Sequence, residues 1–326
     1  MTARENRFLS RENAEMEGVA GRWSGGNDQW WDWYMSLAVN TQSLHAVVAS
    51  PALPALSVPN LAEVERVLSE DVSVDDETRR LFETHGWVKL RQLCPPEAAL
   101  GLRGAFIRAF DATDLPAMGF PSLEMMWTHE AWSRCFVRSR RFASVAGQLL
   151  DVESVRLYHD NALCKSPGCG RTPWHYDAHH YPIDSADVVT LWMPLQPTPA
   201  AMGPLVFSQD RDLHLRVRDA DFDKFGTAYD AGIIELIERE GVAIELVEYD
   251  LGDVTFHHAD ALHSAGPNRT ELDRYALATT YFADGARLVS EPTMISGDFE
   301  KFMPGVEPGH VIDSPLNPVL WRRGEV

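Results

Sequence analysis

The stretch TPWHYDAHHY, residues 172–181, holds His175, Asp177, His179 and His180 within six positions, and so three of the chain's twelve histidines. Imidazole nitrogens beside a carboxylate can hold a divalent metal, relay a proton or end a strand in polar groups. In an extended segment, side chains at i and i+2 share a face. His175 and Asp177 therefore point together into one cavity, and Tyr176 turns away as a packing residue. Two imidazoles and one carboxylate on one side of a metal leave three positions open, which is the arrangement of non-haem Fe(II) oxygen chemistry. The third ligand has to come from elsewhere, because an HxD triplet alone arises often by chance.

Further candidates stand in GDVTFHHADALHSAGPNRTELDRYALATTYFADGA, which contains His257, His258 and His263. Gly252-Asp253 reads as the turn that starts a strand. Val254, Phe256 and His258 share one face of it, and Thr255 and His257 the other. His263 and Arg274 are 11 apart, on the two sides of the turn AGPNRTELD, and in a hairpin-like pair both face inward. The inward face of the last strand is then Arg274, Ala276, Ala278 and Thr280, and the other face Tyr275, Leu277, Thr279 and Tyr281. An arginine followed by small residues suits a lined cavity. A buried guanidinium needs an anion, and no acidic residue of the chain is an obvious partner. A bound dicarboxylate, held bidentately, would fill that role.

The elements that must position these residues fall into two regions. Residues 1–75 form a Trp-rich, mostly helical extension with Trp23, Trp30, Trp31 and Trp33. A helix is expected from about Asp28 to Val48, its tryptophans packed on a core or walling a cleft. A proline-punctuated connector and a short amphipathic helix in NLAEVERVLSED follow. From Asp75, DDETRRLFETHGWVKLRQL reads as a helix ending at Gly86 and a strand at Trp87–Leu90. Further helices are expected over CPPEAALGLRGAFIRAF, SLEMMWTHEAWSRCFVRS and RRFASVAGQLLD. After Val155 short apolar runs separated by Gly, Pro, Asp and Asn indicate an antiparallel barrel or sandwich. A polar helical insertion, about 215–240, interrupts it; its acidic part is a solvated helix face or a lid.

The charge balance, 29 Lys and Arg against 48 Asp and Glu for a net −19, argues against nucleic acid or an anionic membrane as partner. A neutral or cationic small-molecule substrate is easier to reconcile with it. Cys94, Cys135, Cys164 and Cys169 form no CxxC pair and are expected to be free thiols. The N-terminus shows no leader-type apolar run, and no run of about 18 apolar residues occurs, so a cytoplasmic enzyme is expected.

Taken together, TPWHYD, LWMPLQPTPAAMGPLVFS, GDVTFHHADALHSAGPN and RYALATTYF resemble the phytanoyl-CoA dioxygenase family, from roughly Val74 to Ala286. LFETHGWVKLRQLCPPEAALGLRGAF is similar to the opening of that family's domain. The resemblance implies a mixed α+β fold, a double-stranded β-helix (jelly-roll, cupin-like) core with flanking N-terminal helices. It implies a dioxygenase domain over 76–290 and a C-terminal tail, 291–326, packed on the core. It implies an oxidoreductase using Fe(II), 2-oxoglutarate and O2, with His175, Asp177 and His263 as metal ligands and Arg274 on the far carboxylate of 2-oxoglutarate. His257 and His258 are then barrel residues. Trp192 and Thr190 would border the co-substrate, and Asn268 would be structural. The family's second co-substrate contact falls among Tyr158, Asp160, Asn161 and Lys165. Tyr158, Asn161, His179 and His180 are the candidates for touching substrate or supporting the ligands, the two histidines on a flexible loop. A carboxylate at Asp177, where related halogenases carry a small residue, implies hydroxylation or another oxidation. VFSQDRDLH after GPL departs from the family's usual ending and marks a difference in specificity.

The expected activity is hydroxylation of a small metabolite with release of succinate and CO2, by a monomer or homodimer. Desaturation, ring closure or epimerisation with the same cofactors is the alternative. A non-catalytic jelly-roll binding protein and a zinc hydrolase fit less well, since neither gives Arg274 a partner.

Overall fold

The short apolar runs after Val155 become two facing antiparallel sheets, and the helices before them cover one side. The computed structural model describes residues 48–113, 120–217, 228–292 and 299–325. Helix α1 (Leu61–Leu68) starts at Asn60, whose side chain accepts the Glu63 N–H while Glu63 reaches back to the Asn60 N–H. Helix α2 (Asp76–His85) is capped by Asp75 and stopped by Gly86 in the left-handed region, φ 76°. That turn feeds strand β1 (Trp87–Leu90) directly. Helix α3 (Pro96–Asp111) has proline in its first turn, and Ser139 caps α5 (Arg140–Leu150), which follows the short α4 (Ala131–Val137).

The larger sheet runs β1, β9 (Val254–His258), β6 (Val188–Pro194), β11 (Arg274–Ala283), β3 (Ser154–Lys165) and β13 (Val319–Arg322), with β2 (Ser122–Glu124) also on β3. The smaller sheet runs β4 (Thr172–His175), β10 (His263–Ala265), β7 (Leu205–Ser208) and β8 (Ile244–Leu246). A separate pair joins β5 (Ile183–Asp184) to β12 (Arg287–Leu288). Alternation along β11 sends Leu277 and Tyr281 into the core under the helices, with Phe142 and Val145 of α5. Ala276 instead joins Trp192, Phe207 and Leu163 in a second cluster. Phe106, Phe136 and Phe142 are fully buried, and burial of this kind supplies most of the driving force. No helix among the described residues is long and apolar enough to cross a membrane.

Three local expectations change. SLEMMWTHEAWSRCFVRS is not one helix: Ser122–Glu124 pairs with β3, a 3-10 turn covers Met126–Thr128, and only Ala131–Val137 is α-helical. Met125, at φ 58°, makes the break. His263 and Arg274 do not form a hairpin-like pair, because β10 lies in the smaller sheet and β11 in the larger. The turn between them carries the chain across the sandwich. Val48, placed at the end of a helix, instead bridges Thr270 in extended conformation. The rest of that expected helix and its tryptophans lie outside the described residues. The described part of the insertion forms α6 (Leu213–Val217) and α7 (Ala228–Glu240).

That insertion is not merely a solvated face. Asp230 of α7 is buried, ion-pairs with Arg171 and accepts the Trp174 N–H at 2.8 Å. Trp174 directly precedes His175. Asp230→Ala leaves a buried N–H unpaired and is expected to destabilise the protein by about 2 kcal/mol, read from a shift in the urea midpoint at unchanged slope. All four cysteines are free thiols.

Candidate active site

Strand β4 ends at His175, and the chain then tightens into a 3-10 turn, Asp177–His179. Strand β10 begins at His263, the Cα partner of His175. Pairing and turn together bring three side chains from separate parts of the sequence to one point. One ligand atom from each of His175, Asp177 and His263 lies within 4.8 Å of the other two. Both imidazoles aim Nε2 at the same carboxylate oxygen, Asp177 Oδ1, at 3.7 Å from His175 and 3.8 Å from His263. Their Nδ1 atoms face backbone carbonyls, Pro173 at 2.9 Å and Ala261 at 3.0 Å. A carbonyl can only accept, so Nδ1 carries the proton and Nε2 presents its lone pair. This is the donor arrangement a metal needs from histidine.

The other carboxylate oxygen is already engaged. Asp177 Oδ2 accepts from the Thr190 hydroxyl at 2.9 Å and from His257 Nε2 at 3.2 Å. Thr190 is within 3.1 Å of Thr280 Oγ1 and 3.2 Å of the Tyr181 hydroxyl, and Tyr181 also bonds Thr280 at 3.1 Å. Strands β6, β9 and β11 of the larger sheet thus hold a carboxylate that leaves the smaller one. Asp177 is tied through one oxygen and offers the other. Burial alone would raise its pKa, but His263, His257 and His175 outweigh that and hold the carboxyl well below its usual range. Burial pushes His175 down, and pushes His263 well down with help from His175. One ionised carboxylate and two neutral imidazoles are the protonation states a divalent metal requires.

Two cations face the same interior. Arg274 and Lys165 are Cα partners across β11 and β3, and both are buried. Arg274 Nη1 donates to the Gly203 carbonyl, while its Nε has no partner. Lys165 Nζ donates to the Gly266 carbonyl at 2.8 Å and to Thr172 Oγ1 at 3.2 Å. The guanidinium lies 5.1 Å from the Trp192 ring centroid and 5.5 Å from that of Phe120; the ammonium is 5.0 Å from Phe120. Burial lowers Arg274 to about 10, and Lys165 well below its ordinary value with Arg274 adding to it. Among the described residues no acidic side chain pairs with either cation. Gly203, at φ 74°, packs against Gly266 so closely that a Cβ on it would sit 2.3 Å from the Gly266 oxygen.

Of the residues singled out in the sequence, His175, Asp177 and His263 converge, and Arg274 and Trp192 meet. Thr190 meets Asp177. Asn161 is on the inward face of β3, two positions from Leu163, which joins the second core cluster. Tyr158 belongs to the core under the helices, with its ring against His159, Tyr181 and Phe302. Asp160 lies away from the site, beside the backbone of Met126 and Trp127, and burial raises its carboxyl to about 7. His179 and His180 are not on an open loop: the His180 N–H closes the 3-10 turn onto the Asp177 carbonyl at 2.8 Å. The bond from His257 to Asp177 is not among the expectations: alternation puts His257 with Thr255, opposite His258, but does not say which face turns inward. Tyr181 carried no signal, because its role depends on the turn that follows Asp177.

The Phytanoyl-CoA dioxygenase (PhyH) family model matches residues 104–276, more than half of the chain. The chain belongs to the phytanoyl-CoA dioxygenase family. Within it, the chain is 30% identical over 155 residues to a probable alpha-ketoglutarate-dependent hypophosphite dioxygenase of Stutzerimonas stutzeri, covering 46% of this chain and 52% of that one. The chain thus spans about half the length of that curated relative. Among solved structures, the alpha-ketoglutarate-dependent epimerase SnoN of nogalamycin biosynthesis superposes with a TM-score of 0.63 at 20% identity, over 76% of this chain and 98% of that one. EctD from S. alaskensis, solved with 2-oxoglutarate and 5-hydroxyectoine, gives 0.56 at 16% identity, over 84% and 96%. These likenesses show the fold alone, a jelly-roll.

The contacts to Asp177 Oδ2 make a direct prediction for this family member. Groups that orient a metal ligand typically change metal affinity 10–100-fold. Thr190→Val and His257→Phe are each expected to weaken Co(II) binding by about tenfold or more, measured by titration of the metal-free protein. Unchanged affinity in both variants would mean that Asp177 is positioned by the turn alone.

Proposed function

We propose that this chain is a non-haem Fe(II)- and 2-oxoglutarate-dependent dioxygenase that hydroxylates a small, uncharged or cationic molecule. The observation that carries the reading is the convergence of three metal-type donor atoms, in the right protonation states, beside two buried cations without an acidic partner. Family membership and the alpha-ketoglutarate-dependent curated relative support it. The donor set fits Fe(II), since His175, His263 and one oxygen of Asp177 would fill three positions and leave the rest for 2-oxoglutarate and O2. When bound, iron with 2-oxoglutarate and O2 supplies oxidative decarboxylation to succinate and CO2, with oxygen delivered to a substrate carbon.

The chain's own residues supply the rest. Arg274 would take the far carboxylate through paired N–H groups, and Lys165 beside it would add a second positive charge. That contact relieves two buried charges, so co-substrate binding completes the local electrostatics. Trp192 and Phe120 wall the anion against water, which strengthens the attraction. Thr190 and His257 hold Asp177 to one coordinating oxygen and so keep the open positions open. Their scaffold, the centre of the larger sheet, keeps that geometry fixed while substrate enters. The curated relative's hypophosphite is an anion, and among the described residues this chain's inner face offers a substrate no charged partner beyond the two cations assigned to 2-oxoglutarate. An uncharged or cationic substrate follows from that and from the net charge of −19.

The reading is tested by incubating purified protein with Fe(II) and 2-oxoglutarate and following succinate. Slow substrate-independent release is expected, abolished by a chelator and accelerated by the true substrate in a metabolite panel. No succinate from a protein shown to bind Fe(II) would overturn it.

A further inference from the structure

Strand β3 carries two polar side chains that the proposed mechanism does not use. His159 and Asn161 alternate with Leu163 on the inward face, opposite Thr280 and Ala278 of β11. Each is only 9% exposed. Asn161 Nδ2 lies 3.5 Å from His159 Nε2, and two atoms of the pair, Asn161 Oδ1 and His159 Nδ1, have no partner. The imidazole stands in an aromatic enclosure. Its ring centroid is 4.3 Å from that of Tyr158, 4.8 Å from Phe302 and 6.1 Å from Tyr181. Tyr181 is also the residue whose hydroxyl bonds Thr190 and Thr280, so one ring separates this enclosure from the Asp177 network.

The contact between the two side chains fixes their polarity. An amide nitrogen can only donate, so His159 Nε2 accepts and its proton sits on Nδ1. Burial lowers His159 to about 3, against the Asp177 carboxylate, which raises it, so the ring is neutral. The pair therefore holds one unpaired buried donor, Nδ1–H, and one unpaired buried acceptor, Oδ1. The charges at the rim, Lys301 and Glu124, neutralise each other in an ion pair.

We infer that His159 and Asn161 form the polar contact for the organic substrate, and that they select an uncharged group with both a donor and an acceptor, an alcohol or carboxamide. A carboxylate has no proton for Asn161 Oδ1, and an ammonium has no lone pair for His159 Nδ1–H. Either leaves one buried group of the pair without its hydrogen bond, and that desolvated group costs free energy. The aromatic rings suit an apolar body behind that handle. The inference rests on the proposed function only in taking the metal site as the place where substrate is presented.

The test uses four probes with one ring and different handles: benzyl alcohol, benzamide, benzoate and benzylamine. Their dissociation constants are measured on the full chain by saturation-transfer NMR with excess 2-oxoglutarate present to fill the Arg274 site, without metal and with Mn(II). Benzyl alcohol and benzamide are expected to bind about tenfold tighter than benzoate and benzylamine, a free-energy difference of about 1.4 kcal/mol. Mn(II) is expected to broaden the bound probes, which places them beside the metal. His159→Phe keeps the ring packing and is expected to erase the preference. Asn161→Asp is expected to reverse it toward benzylamine. Equal binding of all four probes, or preference for benzoate, overturns the inference whether or not Mn(II) binds. Selective binding with no Mn(II) uptake would sustain the handle and sink the proposed metal chemistry instead. If a variant melts before the measurement, the wild-type ranking still decides.

Discussion

Asp177→Ala is expected to abolish iron-dependent succinate formation and to weaken metal binding by more than about 100-fold. The size of the effect follows from charge. His175 and His263 are held neutral by burial, so Asp177 supplies the only negative charge among the three donors. Without it a divalent metal would sit in a buried site with no counter-charge, and the cost of that is large. The fold should survive. The change strands the His257 N–H, at about 1–3 kcal/mol, while the Thr190 hydroxyl keeps Thr280 and Tyr181 as partners; it also removes a desolvated carboxylate, which offsets part of the loss. Circular dichroism and a thermal midpoint would report the fold, and calorimetric titration of Fe(II) or Co(II) the affinity. Succinate formation at the wild-type rate would sink the assignment of Asp177 as a ligand. His175→Ala is expected to behave the same way, with a smaller change in the metal-free protein because no carboxylate is lost.

The second large effect has an unusual signature. Arg274→Met should raise the 2-oxoglutarate requirement by about 100-fold or more, the scale of losing a desolvated, bidentate charge pair. It should do so without destabilising the ligand-free protein. Arg274 is buried, meets Lys165 and, among the described residues, no acid, and leaves Nε unpaired. Replacing an uncompensated buried charge by an apolar side chain of similar length is neutral or stabilising. The thermal midpoint without co-substrate is therefore expected to stay level or rise, and the stabilisation by added 2-oxoglutarate to vanish. A drop in the ligand-free midpoint together with an unchanged requirement would assign Arg274 a purely structural role. Arg274→Lys should recover little, since a point charge does not reproduce a planar fork.

Much of this arrangement was readable from local rules. The Asp75 cap, the Gly86 stop and the strand directly after it all act within a few residues, and the sequence states them plainly. The pairing of His175 with Asp177 needed only the alternation of a strand. Other features depend on contacts between distant segments. SLEMMW has the apolar content of a helix, yet Ser122–Glu124 pairs with β3, and no local rule announces that partner. The 11-residue spacing of His263 and Arg274 is the same whether the chain turns back on its own sheet or crosses to the other one. Thr190 could be placed on the right face, but its bond to Asp177 depends on a turn that brings one sheet's carboxylate to the other. Asp230 looked like one more acid in an acidic insertion. Only the fold places it against Arg171 and the backbone beside His175.

The approach of Gly203 to Gly266 has a consequence of its own. The two carbonyls that steady Arg274 and Lys165 belong to these glycines, one on each side of a contact with no room for a methyl group. The proposed grip on 2-oxoglutarate would therefore depend on backbone atoms that mutation cannot chemically alter, held in place by side chains that are not there. A side chain at Gly203 would leave every charged residue of the site intact and still be expected to cost affinity. Within this lineage, a change from glycine here would be a sign of altered co-substrate use even where the metal ligands and the arginine all remain.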